Sequence, residues 1–166
     1  NPEPLPENLS ALSSELRIKN ADLGIAVDPD VDRLAFVCED GEFFGEEYTL
    51  VAVADYVLSN TPGDTVSNLS STHALDDIKK KYKSTYHTSA VGEVNVVAKM
   101  KEVNAIIGGE GNGGIIYPEL HYGRDALVGI ALFLSYLAKY GKSTSMLRAT
   151  YPNYFISKNR GKWRYI

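Results

Sequence analysis

The sequence has little sulfur and little tryptophan: one Cys, two Met and one Trp in 166 residues. A single thiol, Cys38, excludes an internal disulfide framework and fits a reducing, cytoplasmic compartment. It closes the run Leu34-Ala35-Phe36-Val37-Cys38, so a buried small hydrophobe is expected there and not a reactive thiol. No apolar run approaches the roughly 18 residues of a membrane span, so no membrane role is expected. Positive charge is not in excess. Lys and Arg number 17 against 21 Asp and Glu, a formal net charge of −4, which argues against a nucleic-acid backbone as partner. No signal peptide is read at the start. The chain opens Asn1-Pro2-Glu3-Pro4 without Met and reads as the middle of a longer protein. There is no internal repeat and no low-complexity segment.

What is present is ordinary in bulk and specific in two places. A hydrophobic content of 44% and a charged content of 23% are those of a globular protein. The first specific place is Asp28-Pro29-Asp30-Val31-Asp32-Arg33, directly after the apolar run Leu23–Val27. Carboxylates at i, i+2 and i+4 point to one side of extended or tightly turned backbone. Two like charges about 4 Å apart at a partly buried site repel by roughly 4 kcal/mol. A buried cluster of three is therefore expected to hold a hard cation, Mg²⁺ or Ca²⁺, with a solvated acidic turn as the plain alternative.

The second place is Gly108-Gly109-Glu110-Gly111-Asn112-Gly113-Gly114. Such a loop can bring backbone close to a ligand. It has no Gly-Lys-Ser/Thr ending and not the glycine spacing of a dinucleotide fold. One carboxylate and one amide among glycines suit vicinal sugar hydroxyls, but an irregular surface loop explains the composition equally well. Ser89-Ala90-Val91-Gly92-Glu93 opens a helix, whose N-terminus is either an anion site or simply capped. His73, His87 and His121 lack mutual metal-ligand spacing. Arg124-Asp125 reads as a helix cap.

The periodicity predicts a Pro-rich lead-in over 1–6 and a helix over 7–19. A continuous apolar strand follows over 23–27, as in a sheet covered on both faces. Then come a strand over 34–39, a turn at Asp40-Gly41, and Phe43 and Phe44 closing a hairpin. From 45 onward helices and strands alternate. Helices are expected over 46–58, 73–82, 93–102, 125–140 and up to 149, and strands over 65–69, 84–87 and 104–107. That alternation predicts an α/β layered domain. Residues 1–44 are too few for a core of their own.

With both motifs in view, the chain resembles the α-D-phosphohexomutase family of phosphoglucomutases, phosphomannomutases and phosphoglucosamine mutases. The matching stretches are Asn1-Pro2-Glu3-Pro4, Ala21–Arg33 with its aspartate loop, Ala90-Val91-Gly92-Glu93, and Gly109–Gly114. The resemblance implies an α/β fold. Residues 1–44 would be the C-terminal part of domain 2, with the metal loop. Residues 45–157 would be domain 3, a three-layer α/β/α domain with a mixed sheet and the sugar loop. Residues 158–166 would be a linker or tail toward a missing domain 4. It also implies an isomerase that moves a phosphoryl group from a phosphoserine to a hexose phosphate and takes the other back. Asp28, Asp30 and Asp32 would hold Mg²⁺. Arg33 would be catalytic on the phosphate side of the cleft, and Glu110 and Asn112 would bind the sugar. Two departures stand out. The sugar loop often has Ser where Asn112 stands and His where Gly114 stands. No Ser-His-Asn-Pro run occurs, so domains 1 and 4 would have to supply the phosphoserine and a phosphate clamp, and these residues are expected to be inactive alone.

Two other readings compete. A phosphatase of the haloacid-dehalogenase type also places Asp-x-Asp after a strand, but the later Lys and acidic pair it needs are not evident. A non-enzymatic Ca²⁺-binding module would hold its ion without a phosphoserine.

Overall fold

The computed structural model describes residues 3–154, so the reading of 158–166 as a linker or tail lies outside the described residues. A 3₁₀ turn, Pro6–Asn8, precedes helix α1 (Ser10–Lys19). The helix expected from residue 7 therefore starts three residues later, because Pro6 favours a tight turn whose carbonyl accepts from Leu9 N–H at 3.2 Å. α1 ends at Asn20, left-handed at φ 50°.

Strands β1 (Leu23–Val27) and β2 (Leu34–Cys38) form an antiparallel pair, with Leu23 opposite Cys38 and Val27 opposite Leu34. The expectation that 23–27 is covered on both faces is not met within this chain. Ile25 is 37% and Val27 40% exposed. The strand buried on both faces is β2, all five residues of which are buried. Beneath one face of the pair lie Leu12 and Leu16 of α1, close against Gly24. From the other, Leu34, Phe36 and Cys38 enter the main core.

The remainder is a layered α/β unit. Its elements are α2 (Glu46–Asn60), β3 (Thr65–Asn68), α3 (Ala74–Tyr82), β4 (Tyr86–Ser89), α4 (Glu93–Val103), β5 (Ile107–Gly109), β6 (Ile115–Ile116), α5 (Ala126–Tyr140) and α6 (Thr144–Arg148). The sheet order is β4-β3-β5-β6. The first three strands are parallel and β6 is antiparallel to β5, so the sheet is mixed. Period-2 alternation divides its side chains. Val66 and Ile116 pack with Val96 and Met100 of α4 on one side. Ile107 and Ile115 join α2, α3 and α5 on the other. This is the three-layer α/β/α arrangement.

Residues 34–44 are welded to this unit. Phe36 stacks on Phe133 of α5 with ring centroids 3.9 Å apart, and Phe44 meets Phe133 edge-on at 5.1 Å. Burying aromatics of this size accounts for several kcal/mol of cohesion.

Two strands begin later than the periodicity predicts. β4 starts at Tyr86 and not Ser84, and β5 at Ile107 and not Asn104. In each case the preceding helix ends on a left-handed residue, Lys83 (φ 54°) or Asn104 (φ 52°), and the chain needs further residues to turn back to the sheet. β6 is an unforeseen element: Gly108 and Gly109 are strand residues, and the glycine-rich run is the turn of a β5–β6 hairpin.

Candidate metal and ligand cleft

The aspartate loop leaves β1 as a tight turn. Val31 N–H donates to the Asp28 carbonyl at 3.1 Å. The N–H groups of Asp32 and Arg33 donate to Asp28 Oδ1 at 3.1 and 3.0 Å. Val31 sits at φ +59°, a conformation costing a β-branched residue about 1–3 kcal/mol. The Val31 carbonyl is fixed in turn by Ala126 N–H at 3.0 Å, so the start of α5 clamps the loop.

One oxygen from each of Asp28, Asp30 and Asp32 lies within 4.8 Å of the others. Asp28 is buried, Asp32 half-buried and Asp30 exposed. Burial would raise the Asp28 carboxyl, but the Arg33 N–H and its bonds with Asp32 outweigh it, and the carboxyl lies below the usual range. Asp32 lies above it. Burial raises it, Arg124 opposes, and the hydrogen bond and charge of Asp28 and the charge of Asp30 raise it further. An all-carboxylate donor set of this size fits a hard divalent cation of the Mg²⁺ kind.

Arg33 leans over the same loop. Its Nη1 meets Glu3 Oε1 at 2.8 Å, and its Nε lies 3.7 Å from Asp28 Oδ2 and 3.9 Å from Asp32 Oδ1. Asp28, Asp30, Arg33, Glu3 and Pro29 line an open cavity of about 400 Å³.

The glycine-rich turn closes over Glu110. Glu110 N–H donates to the Gly114 carbonyl at 3.0 Å, and Gly114 N–H to Asn112 Oδ1 at 3.1 Å. Two glycines are required by contact. At Gly109 (φ +159°) a Cβ would lie 2.0 Å from the Gly114 carbonyl oxygen, and at Gly113 (φ +84°) 2.1 Å from the Leu34 oxygen. Glu110 is only 5% exposed. Its Oε1 accepts from Asn68 Nδ2 at 2.7 Å and from Gly92 N–H at 3.3 Å. The anion at the start of α4 is thus the protein's own carboxylate. Glu110 stands at the carboxyl end of β5 and Asn68 at that of β3, where open α/β sheets place their ligands.

Arg124 brings the two loops together. Nη2 pairs with Asp32 Oδ2, Nη1 with Glu110 Oε2 at 2.9 Å, and Nε lies 3.4 Å from Glu93 Oε2. Sequence reasoning took Arg124 for part of a cap. Asp125 is the cap, its Oδ1 accepting from Leu127 and Val128 N–H. Arg124 is the only Lys or Arg between Lys101 and Lys139, a sequence signal that could have marked it. Asn68 carried no such signal, and Glu93 stood out only within the stretch Ala90-Val91-Gly92-Glu93. Two of the histidines pair with carboxylates, His87 with Asp64 and His121 with Asp125, each at 3.0 Å, and His73 is exposed.

Residues 45–154 match the family model for phosphoglucomutase/phosphomannomutase, alpha/beta/alpha domain III, and residues 1–41 match that for domain II. The chain is 37% identical over 161 residues to a phosphoglucomutase/phosphomannomutase of Thermococcus kodakarensis, covering 96% of this chain and 35% of the relative. It is 28% identical over 162 residues to a phosphoglucosamine/phosphogalactosamine mutase of Sulfurisphaera tokodaii, covering 96% and 36%. The crystal structure of a phosphoglucomutase/phosphomannomutase family protein from Burkholderia thailandensis superposes with a TM-score of 0.83 at 31% identity, over 92% of this chain and 34% of that one. An Aspergillus fumigatus N-acetylphosphoglucosamine mutase, solved with GlcNAc-6P and magnesium, shares the fold at TM-score 0.64 and 14% identity, over 85% of this chain and 37% of that one. The chain therefore spans about a third of the length of the relatives it matches. With these matches beside the geometry, the chain belongs to the phosphoglucomutase/phosphomannomutase family, over its second and third α/β/α domains.

Proposed function

We propose that these residues supply the metal and sugar loops of a mutase interconverting hexose 1-phosphate and hexose 6-phosphate through an enzyme phosphoserine and a bisphosphorylated sugar. One observation carries the reading: a single guanidinium, that of Arg124, touches Asp32 of the aspartate loop and Glu110 of the glycine loop. The two motifs are therefore neighbours in space, which supports their serving one ligand. Family membership favours the mutase over the phosphatase and the Ca²⁺ module.

Asp28, Asp30 and Asp32 would hold Mg²⁺, which when bound neutralises charge building on a transferring phosphoryl group. Two backbone N–H groups on Asp28 Oδ1 hold that carboxylate in place for the purpose. Arg33, whose planar fork suits phosphate, would orient the phosphoryl group beside it. On the sugar side, Glu110 Oε2 accepts from Arg124 and keeps a further acceptor site, while Asn112 Nδ2 has no protein partner among the described residues. Together they would accept from and donate to adjacent hydroxyls. Glucose, mannose or glucosamine phosphate is the substrate class that the relatives' names support. The phosphoserine and a phosphate clamp would come from parts of the parent outside these residues, which would be inactive alone. A reducing cytoplasmic setting suits the single buried Cys38.

The test is turnover of glucose, mannose and glucosamine 1-phosphates by the parent-length enzyme with Mg²⁺. Conversion of at least one to its 6-phosphate is expected, with none by residues 1–166 alone. Loss of inorganic phosphate from the substrate, with beryllium fluoride trapped on Asp28, would overturn the reading in favour of a phosphatase.

A further inference from the structure

Arg124 is held by three carboxylates from three separate places: Asp32 after β1, Glu93 at the start of α4 and Glu110 at the end of β5. Its own N–H donates to Glu93 Oε1 at 3.0 Å. The next two residues are tied to the same neighbourhood, Asp125 N–H to the Ile115 carbonyl at 2.8 Å and Ala126 N–H to that of Val31 at 3.0 Å. The side chain is 15% exposed, so its charge is divided among these partners and little screened by water.

Gly114 makes this possible. A Cβ there would lie 2.5 Å from Arg124 Cδ and 3.3 Å from Cγ. Any side chain at 114 would push the arginine stem aside, and an arginine pinned on three carboxylates can move only by breaking those contacts. Gly114 is also where the sequence departs from the His often found in the resembling loops. Gly114 and Arg124 act as one unit: the missing side chain at one is the space taken by the other.

We propose that Arg124, admitted by Gly114, is a positioning residue that couples the aspartate loop to the glycine loop, so that a divalent cation at Asp28, Asp30 and Asp32 is felt at Glu110. The proposal rests on the metal and sugar readings of those loops given above. Asp32 and Glu110 share one guanidinium. A cation that draws on Asp32 weakens its hold on Arg124 and leaves that charge more fully to Glu110. By linkage, a ligand drawing on Glu110 is felt at Asp32 to the same degree. Asn68 reports the far end, because its amide donates to Glu110 Oε1 at 2.7 Å.

The experiment is a titration of the isotope-labelled 166-residue chain with MgCl₂, following the Asn68 side-chain amide signals by NMR beside calorimetry of Mg²⁺ binding. The unaltered chain should show Asn68 signals that move with Mg²⁺ occupancy. In Arg124→Gln and in Gly114→Ala the movement should fall to less than a third while calorimetry still records binding, with melting curves verifying that each variant is folded. Equal movement in a folded variant overturns the coupling. So does a still Asn68 signal in the unaltered chain while calorimetry records Mg²⁺ binding, a result that needs no variant. Absence of any Mg²⁺ binding overturns the metal reading itself, and the coupling with it.

Discussion

Tyr151, just beyond α6, donates its hydroxyl to Asp55 Oδ2 of α2 at 2.9 Å, across 96 residues of chain. Asp55 is 3% exposed and takes three further donors: Tyr136 at 2.8 Å, Lys81 at 2.8 Å and Tyr82. One buried carboxylate thus gathers α2, α3, α5 and the segment after α6. A buried charge is tolerated only when satisfied this completely.

Asp55→Asn should destabilise the chain by about 3 kcal/mol, because the new amide turns donors toward groups that already donate. Urea unfolding at pH 7 measures this. Burial alone would raise the Asp55 carboxyl, but Lys81, Tyr82 and Tyr136 hold it below the usual carboxylate range. A depressed folded value means its stabilisation is present above about pH 4 and is lost as pH falls through the folded value. The gap between the unaltered chain and the variant should therefore shrink in acid. Tyr136 acts in the opposite sense. Burial, with the Asp55 charge adding to it, pushes its hydroxyl up to about 12, so its contribution is present below pH 10 and fades above it. A gap that widens in acid would contradict the assignment.

Asp30→Asn should weaken Mg²⁺ binding at least about tenfold while changing stability by no more than about 0.5 kcal/mol, since Asp30 is the exposed member of the cluster. Calorimetric titration and thermal melting separate the two. In the parent-length enzyme the same change should remove most turnover. Unchanged affinity for Mg²⁺ would remove Asp30 from the ligand set.

Gly113→Ala should cost more than about 2 kcal/mol, because the added methyl meets fixed backbone at Leu34 as well as a positive φ. Gly92→Ala is the comparison: its φ of +109° is strained too, but the nearest atom to a Cβ is 3.8 Å away, so only the backbone strain remains and a smaller loss is expected. Denaturant midpoints of the two variants give the ranking, and equal losses would mean that the Leu34 contact relaxes freely.

Cys38 should not react with a thiol reagent in the folded chain at pH 8. Burial, then the nearby charges of Asp40 and Glu39, push its thiol up to about 12, and the side chain is 1% exposed. Labelling should appear only with denaturant. Rapid modification of native protein would mean that β2 opens readily.

Much of the molecule is legible in the sequence because its signals are local. Three aspartates at alternate positions after an apolar strand, glycines around Glu110 and the apolar period of 126–140 each follow from residues within a turn or two of one another. The same holds for the cap at Asp125, whose side chain accepts from N–H groups two and three residues on. Strand starts were less legible. A left-handed cap at Lys83 or Asn104 is decided by where the following strand must join the sheet. What the sequence by itself determined is the kind of fold, the family and where the two loops lie. What only the tertiary structure decided is which distant charges meet: Arg124 with Asp32, Glu93 and Glu110, and Asp55 with Lys81 and three tyrosines. Those partners lie up to 96 residues apart, and no local period encodes them. Their pairing follows from the sheet order and from the helices that pack across it, which bring unsatisfied charges together in a low-dielectric interior where each must find its counterpart.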